Sequence, residues 1–289
     1  MWYVDRKTGR LEREQVVAEA AMRWLYGEGR LARLARRLVR RRLVSRLYGW
    51  WQDRPASRAR IRRFIEQAGV DASEAEKPPE AYRSLNAFFA RRLRPGARPL
   101  DPDPAALLSP ADARVLAWQD PPGGGVPIKG RVVPVASVLG LASPPPVGAV
   151  FVLRLAPGDY HRFHFPATGR AEPSVRIPGG YDSVNPIALA RDPCILCENE
   201  RQRCRLETEA FGPVWLVEIG ALFVGRIVQT YRPGPVERGA EKGYFQFGGS
   251  TVLVCCAPGR LTVAADLLEN TARGYETRLR MGVAIARRC

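Results

Sequence analysis

The sequence predicts an α+β protein in which a basic, helical N-terminal region precedes a predominantly β domain. Three observations predict this. Residues 1–98 contain 24 Lys+Arg against 11 Asp+Glu, which accounts for about +13 of the net charge of +16. Within them, residues 30–51 have a helical apolar spacing. From residue 99 onward, Gly- and Pro-rich turns separate short β-like runs. We therefore predict two regions, 1–98 and 99–289. With 46% hydrophobic and 26% charged residues, the chain is not disordered, collagen-like or a coiled coil.

The segment 30–51 has the pattern of an amphipathic helix with a strongly basic surface. Its apolar residues recur at three- and four-residue steps: Ala32, Ala35, Val39, Leu43, Leu47 and Trp50, with Leu31, Leu34 and Leu38 beside them. A basic helix that ends in tyrosine and tryptophan suits the plane of an anionic bilayer. The segment fits equally well a packed helix with a solvated arginine face. Nucleic-acid binding is a third interpretation, but the chain has no recognition-module signature.

The region 99–289 contains several runs typical of β-strands. The predicted strands are 149–155, 214–219, 222–229, 244–247, 251–256 and 260–264. Loops are marked by residues 101–104, 121–125 and 143–146, which are rich in proline and glycine or aspartate.

Compartment and metal content can be judged from apolar runs and cysteines. No apolar run reaches the 18 residues that a spanning helix needs, and the opening residues lack the layout of a secretion signal. We therefore expect a protein in the cytosol or on a membrane surface. The six cysteines do not form a disulfide-framework pattern. Cys194, Cys197 and Cys204 would supply three ligands of a zinc site, but no fourth ligand follows, so reduced thiols and no metal are expected.

Three polar segments interrupt the apolar runs of the β region. They are residues 109–112 (SPAD), 159–166 (DYHRFHFP) and 247–251 (FGGST). Together they hold the residue types of a Ser/His/Asp constellation, with Asp112 in the first and Ser250 in the third. A histidine accepts the proton of a serine hydroxyl when a carboxylate fixes its tautomer, whatever the order along the chain.

Each of these residues also has a purely structural interpretation. Asp112 is able to cap a turn. His161 and His164, the only histidines of the chain, fit a packed pair between phenylalanines. Residues 248–250 fit a hairpin turn. A conventional hydrolase is disfavoured, because Val252 stands where the G-x-S-x-G motif requires glycine.

A longer series of motifs follows one family order. The matching segments are 3–9, 85–93, 98–99, 109–112, 159–164, 183–186, 199–201, 220–221 with 224–225, 239–245 and 248–251. On these segments the chain resembles the phosphatidylserine decarboxylases, pyruvoyl-dependent enzymes that cleave themselves at a Gly-Ser bond. The sequence departs from the family in two places. Ala113 replaces a usual glycine, which raises the question of a positive φ there, and Gly248 replaces the leucine of many bacterial members.

The resemblance implies self-cleavage between Gly249 and Ser250. Ser250 would attack the preceding carbonyl group, and the resulting ester would be eliminated and hydrolysed to leave a pyruvoyl group in place of Ser250. The expected products are a β chain of residues 1–249 and an α chain of residues 250–289. The covalent pyruvoyl group would condense with the amine of phosphatidylserine and accept the electrons released with CO2, giving phosphatidylethanolamine.

The resemblance also assigns roles to the polar residues. Asp112 and His164 would form the relay that deprotonates Ser250, and His161 would position the substrate carboxylate and handle the product proton. The implied partners are phosphatidylserine, an anionic phospholipid membrane and the two chains of one precursor, without nucleic acid. A homodimer stays open. The expected location is the cytoplasmic side of the cell membrane, as a peripheral protein.

Three alternatives stay open at this stage. One is a Ser/His/Asp lipid hydrolase with an intact Ser250, which would remain a single polypeptide. Another is a basic protein that binds membranes or nucleic acid without turnover. The third is a pyruvoyl-dependent decarboxylase of another amine-bearing carboxylate, because no headgroup pocket is identifiable from sequence.

Overall fold

The structure is a computed structural model that describes residues 2–14, 18–128, 130–143, 145–223, 226–248 and 250–289. Its first part contains β1 (Trp2–Asp5), β2 (Leu11–Arg13), α1 (Glu19–Leu25), α2 (Arg30–Val39), α3 (Arg42–Asp53), α4 (Ile61–Ala68) and α5 (Leu85–Phe89), with 3₁₀ turns at Pro55–Arg60, Ala72–Glu74 and Pro79–Ala81.

The second part is dominated by strands. It contains β3 (Ala106–Leu108), β4 (Ala113–Gln119), a 3₁₀ turn (Pro122–Gly124), β5 (Gly125–Ile128), β6 (Arg131–Pro134), α6 (Val135–Leu139), β7 (Ala149–Leu155), β8 (Arg162–His164), β9 (Gly169–Ala171), β10 (Val175–Ile177), α7 (Pro186–Arg191), α8 (Ile195–Glu198), β11 (Arg201–Thr208), β12 (Gly212–Gly220), β13 (Ile227–Gln229), β14 (Gly234–Val236), β15 (Glu241–Phe245), β16 (Ser250–Cys256), β17 (Leu261–Val263), α9 (Ala265–Ala272), β18 (Glu276–Leu279) and β19 (Ala284–Arg288). The predicted α+β class is confirmed.

One large sheet forms the centre of the molecule. Its strand order is β14-β9-β11-β12-β16-β7-β4-β18-β1-β2, and β10 pairs with β11. Every residue of β7 and β16 is buried. Strands that are buried on both faces are expected to be continuously apolar, and most residues of β7 and β16 are apolar. Smaller sheets have the orders β13-β15-β8, β17-β19-β3 and β5-β6.

The N-terminal region begins with strands that the sequence analysis did not predict. β1 pairs in parallel with β18, with Tyr3 opposite Glu276, and antiparallel with β2. Tyr3 is buried in this position. The first residues of the chain are therefore an integral part of the large sheet. The proposed boundary between residues 98 and 99 stays a prediction about composition.

The predicted helical segment 30–51 forms two helices, α2 and α3, separated at Arg40 and Arg41. Its buried side includes Ala32, and Arg40 Nε lies 3.3 Å from the carboxylate of Asp182. Its outer side carries exposed apolar side chains: Leu31, Leu34, Leu38, Leu43, Leu47, Trp50 and Trp51. In the described ranges, no helix is long and apolar enough to cross a membrane.

The predicted strands agree best with the structure for the buried central strands of the large sheet. Residues 149–155 form β7, and 251–256 lie within β16. The run 222–229 is a strand only at Ile227–Gln229, and its residues 224–225 lie outside the described residues. The run 244–247 overlaps β15, which ends at Phe245. Hydrophobic patterning identifies these latter segments but does not locate their turns.

Candidate active site

Ser250 is the first residue of β16. In the sheet it lies opposite Leu155, the last residue of β7, and Gly220, the last residue of β12. Its side chain is 0% exposed, and its Oγ has no hydrogen-bond partner among the residues that the structure describes. A buried hydroxyl without a partner is rare and suits a reacting group. Gly249, the predicted partner in cleavage, lies outside the described residues.

His161 is fully buried on the loop that follows β7. Its Nδ1 lies 2.9 Å from the carbonyl oxygen of Asp159. Since a carbonyl only accepts, Nδ1 carries the proton and Nε2 the lone pair. Within the described ranges Nε2 has no hydrogen-bond partner. Burial lowers the pKa of His161 to about 3, so the ring is a neutral proton acceptor at neutral pH.

His164 ends β8 and is held by hydrogen bonds at its backbone and at both ring nitrogens. Its backbone N–H donates to Pro110. Its Nδ1–H donates to the carbonyl of Gly239 at 2.9 Å, and its Nε2 accepts from the Tyr160 hydroxyl at 3.3 Å. Burial lowers the pKa of His164, and the bond to Gly239 partly opposes this. Both histidines therefore have a neutral Nε2 acceptor.

Asp112 lies near both histidines but hydrogen-bonds to other groups. Arg98 donates to its carboxylate at 2.6 Å through Nη2 and at 2.8 Å through Nε, and the backbone N–H of Met281 donates at 2.8 Å. The charge of Asp112 is a minor cause that raises the pKa of His161 and of His164. In this structure, Gly239 and not Asp112 fixes the tautomer of His164.

An apolar cavity of about 470 Å³ adjoins the start of β16. It reaches Gly248 and Leu155, the residue opposite Ser250. Its aromatic lining consists of Tyr48, Phe64, Phe89, Phe223 and Phe247. The Phe89 ring centroid lies 3.9 Å from that of His161 and 4.8 Å from that of Phe247. The aromatic lining therefore connects the cavity with His161.

The two departures from the family pattern have simple structural outcomes. Ala113 opens β4, opposite Leu279 of β18, and is not among the residues with a positive φ. The backbone there is accessible to any residue, so alanine causes no strain. Gly248 has φ of 139°, a conformation that favours glycine, and lies against the apolar cavity.

The structure adds residues to which the sequence analysis gave no role. Tyr160 contacts His164, Phe89 packs on His161, and Arg91 donates to Asp159 O at 3.3 Å. All three belong to segments singled out for their resemblance. Arg91 follows the pair Phe88–Phe89 after one alanine, Ala90, so a charged residue stands at the end of an apolar run.

No metal site is found in the described part of the chain: no group of three His, Cys, Asp or Glu side chains is placed to hold an ion. All six cysteines are free thiols. Cys204 lies in β11, where its Sγ is 3.3 Å from the Tyr231 hydroxyl, whereas Cys197 Sγ contacts the carbonyl of Cys194.

Comparisons with known proteins identify the family of the chain. The profile of the family described as phosphatidylserine decarboxylase matches residues 85–287. A phosphatidylserine decarboxylase proenzyme of Desulfitobacterium hafniense strain Y51 is 42% identical over 285 residues, covering 97% of this chain and 96% of the relative. Proenzymes of the same name from Ruminiclostridium cellulolyticum and Fusobacterium nucleatum are each 39% identical, covering 97% of this chain and 95% of each relative. This chain belongs to the phosphatidylserine decarboxylase family.

Proposed function

We propose that the chain is a self-processing, pyruvoyl-dependent decarboxylase that converts phosphatidylserine to phosphatidylethanolamine and CO2. The observation that carries the proposal, beside family membership, is the environment of Ser250. Its hydroxyl is buried and has no partner within the described ranges, and it opens a central strand beside an apolar cavity. A water-poor site with a serine at its edge suits both self-cleavage and a lipid substrate.

Self-cleavage exchanges a peptide bond for an ester. Ser250 Oγ gives its proton to a base and attacks the carbonyl carbon of Gly249. Removal of the Ser250 Cα proton then expels the new carboxylate of Gly249, and water releases ammonia from the remaining unit. The pyruvoyl group left in place of Ser250 keeps the same three carbon atoms, so it fits the space that Ser250 occupies between Leu155 and Gly220. Once formed, it serves as the electron sink for decarboxylation.

We assign the base of the first step to His164, with Asp112 as its electrostatic partner. The bond from Nδ1–H to Gly239 leaves Nε2 as the proton acceptor. To take the proton of Ser250, His164 Nε2 would give up its hydrogen bond with the Tyr160 hydroxyl and accept one from Ser250 Oγ. The positive charge that develops on His164 is stabilised by the nearby carboxylate of Asp112, which raises the pKa of His164.

His161 is assigned to the decarboxylation step. Its ring is neutral and packs on Phe89 at the wall of the apolar cavity. Its Nε2 has no partner in the described part of the chain. A fixed, neutral imidazole in a desolvated site is suited to orient the headgroup and to carry the proton that replaces CO2.

The exposed face of α2 and α3 is proposed to bind an anionic phospholipid membrane. Seven large apolar side chains lie exposed on these helices, and exposed arginines flank them: Arg30, Arg33, Arg37, Arg41, Arg42 and Arg46. Tyr48 of α3 also lines the apolar cavity, so the same helix borders the surface and the cavity. The proposal includes a peripheral position on the cytoplasmic face, consistent with six free thiols.

The decisive experiment combines intact mass under denaturing conditions with product analysis. The unsubstituted protein is expected to give two chains split before position 250, the smaller carrying the mass of a pyruvoyl-blocked fragment, and to release CO2 from phosphatidylserine vesicles. Ser250→Ala should remain one chain and release none. A single chain that hydrolyses phosphatidylserine without releasing CO2 would instead indicate a hydrolase. Two chains that are inactive on phosphatidylserine would indicate a decarboxylase of another amine-bearing carboxylate.

A further inference from the structure

Arg91 is a buried arginine with unused hydrogen-bond donors. Its side chain follows α5 and the residue is 4% exposed. Nη2 donates to the carbonyl oxygens of Gly158 at 3.0 Å and Asp159 at 3.3 Å. Nε and Nη1 are buried and have no partner among the residues that the structure describes.

The neighbouring buried arginines differ from Arg91, because each forms an ion pair with a carboxylate. Arg98 lies 2.6 Å from Asp112, Arg114 lies 2.6 Å from Asp159, and Arg154 lies 2.6 Å from Glu276. Arg91 has no ion pair with any described residue within 4.0 Å. A buried guanidinium without an anionic partner is unfavourable on its own. This arginine is therefore suited to receive an anion from outside the chain.

Arg91 also lies close to His161. The carbonyl oxygen of Asp159 accepts from both Arg91 Nη2 and His161 Nδ1. The two side chains thus meet at one backbone atom, and the charge of Arg91 is one cause that lowers the pKa of His161. An anion bound by Arg91 would lie near the histidine assigned to decarboxylation.

Two cavities meet around the loop that carries these contacts. A polar cavity of about 340 Å³ is lined by Arg91, Asp112, Asp159 and Tyr160. It shares Glu14, Gln67 and Pro157 as lining residues with the apolar cavity of about 470 Å³. A lipid whose tails occupy the apolar cavity would therefore have a polar cavity beside its headgroup.

We infer that Arg91 binds the carboxylate of the phosphatidylserine headgroup and thereby selects serine-bearing lipids. This rests on the proposed function. The carboxylate, rather than the phosphodiester, is assigned because Arg91 lies at the loop of His161, on the polar side of the site. The negative charge leaves this position as CO2 departs, so Arg91 acts mainly on substrate binding. Its loss should raise KM more than it lowers kcat.

The test uses two short-chain lipids that each keep one half of the serine headgroup. Dihexanoyl phosphatidyl-3-hydroxypropionate has the carboxylate without the amine, and dihexanoyl phosphatidylethanolamine has the amine without the carboxylate. Arg91→Gln should raise the inhibition constant of the first lipid at least about tenfold and leave that of the second unchanged. Arg91→Lys should restore part of the binding. Arg92→Gln, at the exposed neighbouring arginine, should change neither.

An equal loss for both lipids would show that Arg91 only supports the loop at Gly158 and Asp159, and no loss would show that it does not bind the carboxylate. Either result overturns the assignment. If Arg91→Gln does not mature, calorimetry in the uncut Ser250→Ala protein compares short-chain phosphatidylserine with phosphatidylethanolamine, and the same selective loss is expected. Failure of the unsubstituted protein to release CO2 would instead reject the proposed function. The calorimetric comparison does not depend on turnover, so this failure is distinguishable from a failure of the Arg91 assignment.

Discussion

Glu14 forms a buried ion pair with Arg154, its carboxylate lying 2.7 Å from Nη2. Arg154 also pairs with Glu276, and Arg114 lies 3.4 Å from Glu14. Arg154 directly precedes Leu155, the residue opposite Ser250 in the sheet. Glu14, which precedes the N-terminal helices in the sequence, thus belongs to the ion-pair cluster beside the candidate active site.

Glu14→Gln should destabilise the protein strongly, because it removes the negative charge that pairs with the buried guanidinium groups of Arg154 and Arg114. We expect a loss of about 3 kcal/mol in the free energy of unfolding. The measurement is urea denaturation of the uncut Ser250→Ala protein with and without the second substitution. Glu19→Gln, which removes an exposed pair with Arg23, serves as the control and should cause no measurable change. Equal effects of the two substitutions would contradict a structural role for this cluster.

The two histidines should separate maturation from catalysis. We expect His164→Ala to remain uncut, because it removes the proposed base of Ser250. We expect His161→Ala to mature and to decarboxylate poorly, by about 100-fold or more. Denaturing electrophoresis follows chain splitting, and CO2 release follows turnover. The reverse pattern would exchange the two roles without changing the enzyme class.

Stability should fall with acid because of His161. The pKa of this buried ring is about 3 in the folded protein, against 6.5 for an ordinary histidine. Between these values the unfolded chain binds the proton and the folded chain does not, so the folded state loses stability as pH falls. From pH 6 to pH 5 we expect His161→Gln, in the Ser250→Ala protein, to reduce this slope by about 1 kcal/mol per pH unit. Identical slopes would show that the ring is protonated in the folded state.

Membrane binding should depend on the exposed leucines of α2. We expect a triple change of Leu31, Leu34 and Leu38 to serine to weaken binding to phosphatidylserine-containing vesicles about tenfold or more. Val132→Ser serves as the control, because Val132 is 60% exposed, between the 47% of Leu38 and the 75% of Leu31, but lies on β6. Sedimentation with vesicles measures both. Retained binding by the triple variant would assign the contact to another surface.

The sequence was sufficient for the parts of the fold that local patterning determines. The helices of 30–51 and the apolar strands β7 and β16 follow from spacing and from continuous burial. The strand β1 does not follow from local patterning, because one of its partners, β18, lies more than 250 residues away along the chain. The proposed site residues were selected by their types, and that assignment stays a prediction; their hydrogen-bond partners do not follow from the sequence. That Arg98 holds Asp112 and that Gly239 faces His164 depends on contacts between distant segments.

The position of Ser250 at the head of β16 has a consequence for the mature protein. Residues 250–289 include β16, between β12 and β7, and also β18 and β19, which pair with β4, β1 and β3. After the proposed cut, the small chain would remain interlaced with the large one through these ladders. Denaturation would then also be dissociation, so its midpoint would rise with protein concentration. Renaturation would require the association of two separate chains, because the peptide bond that joined them in the precursor would not re-form.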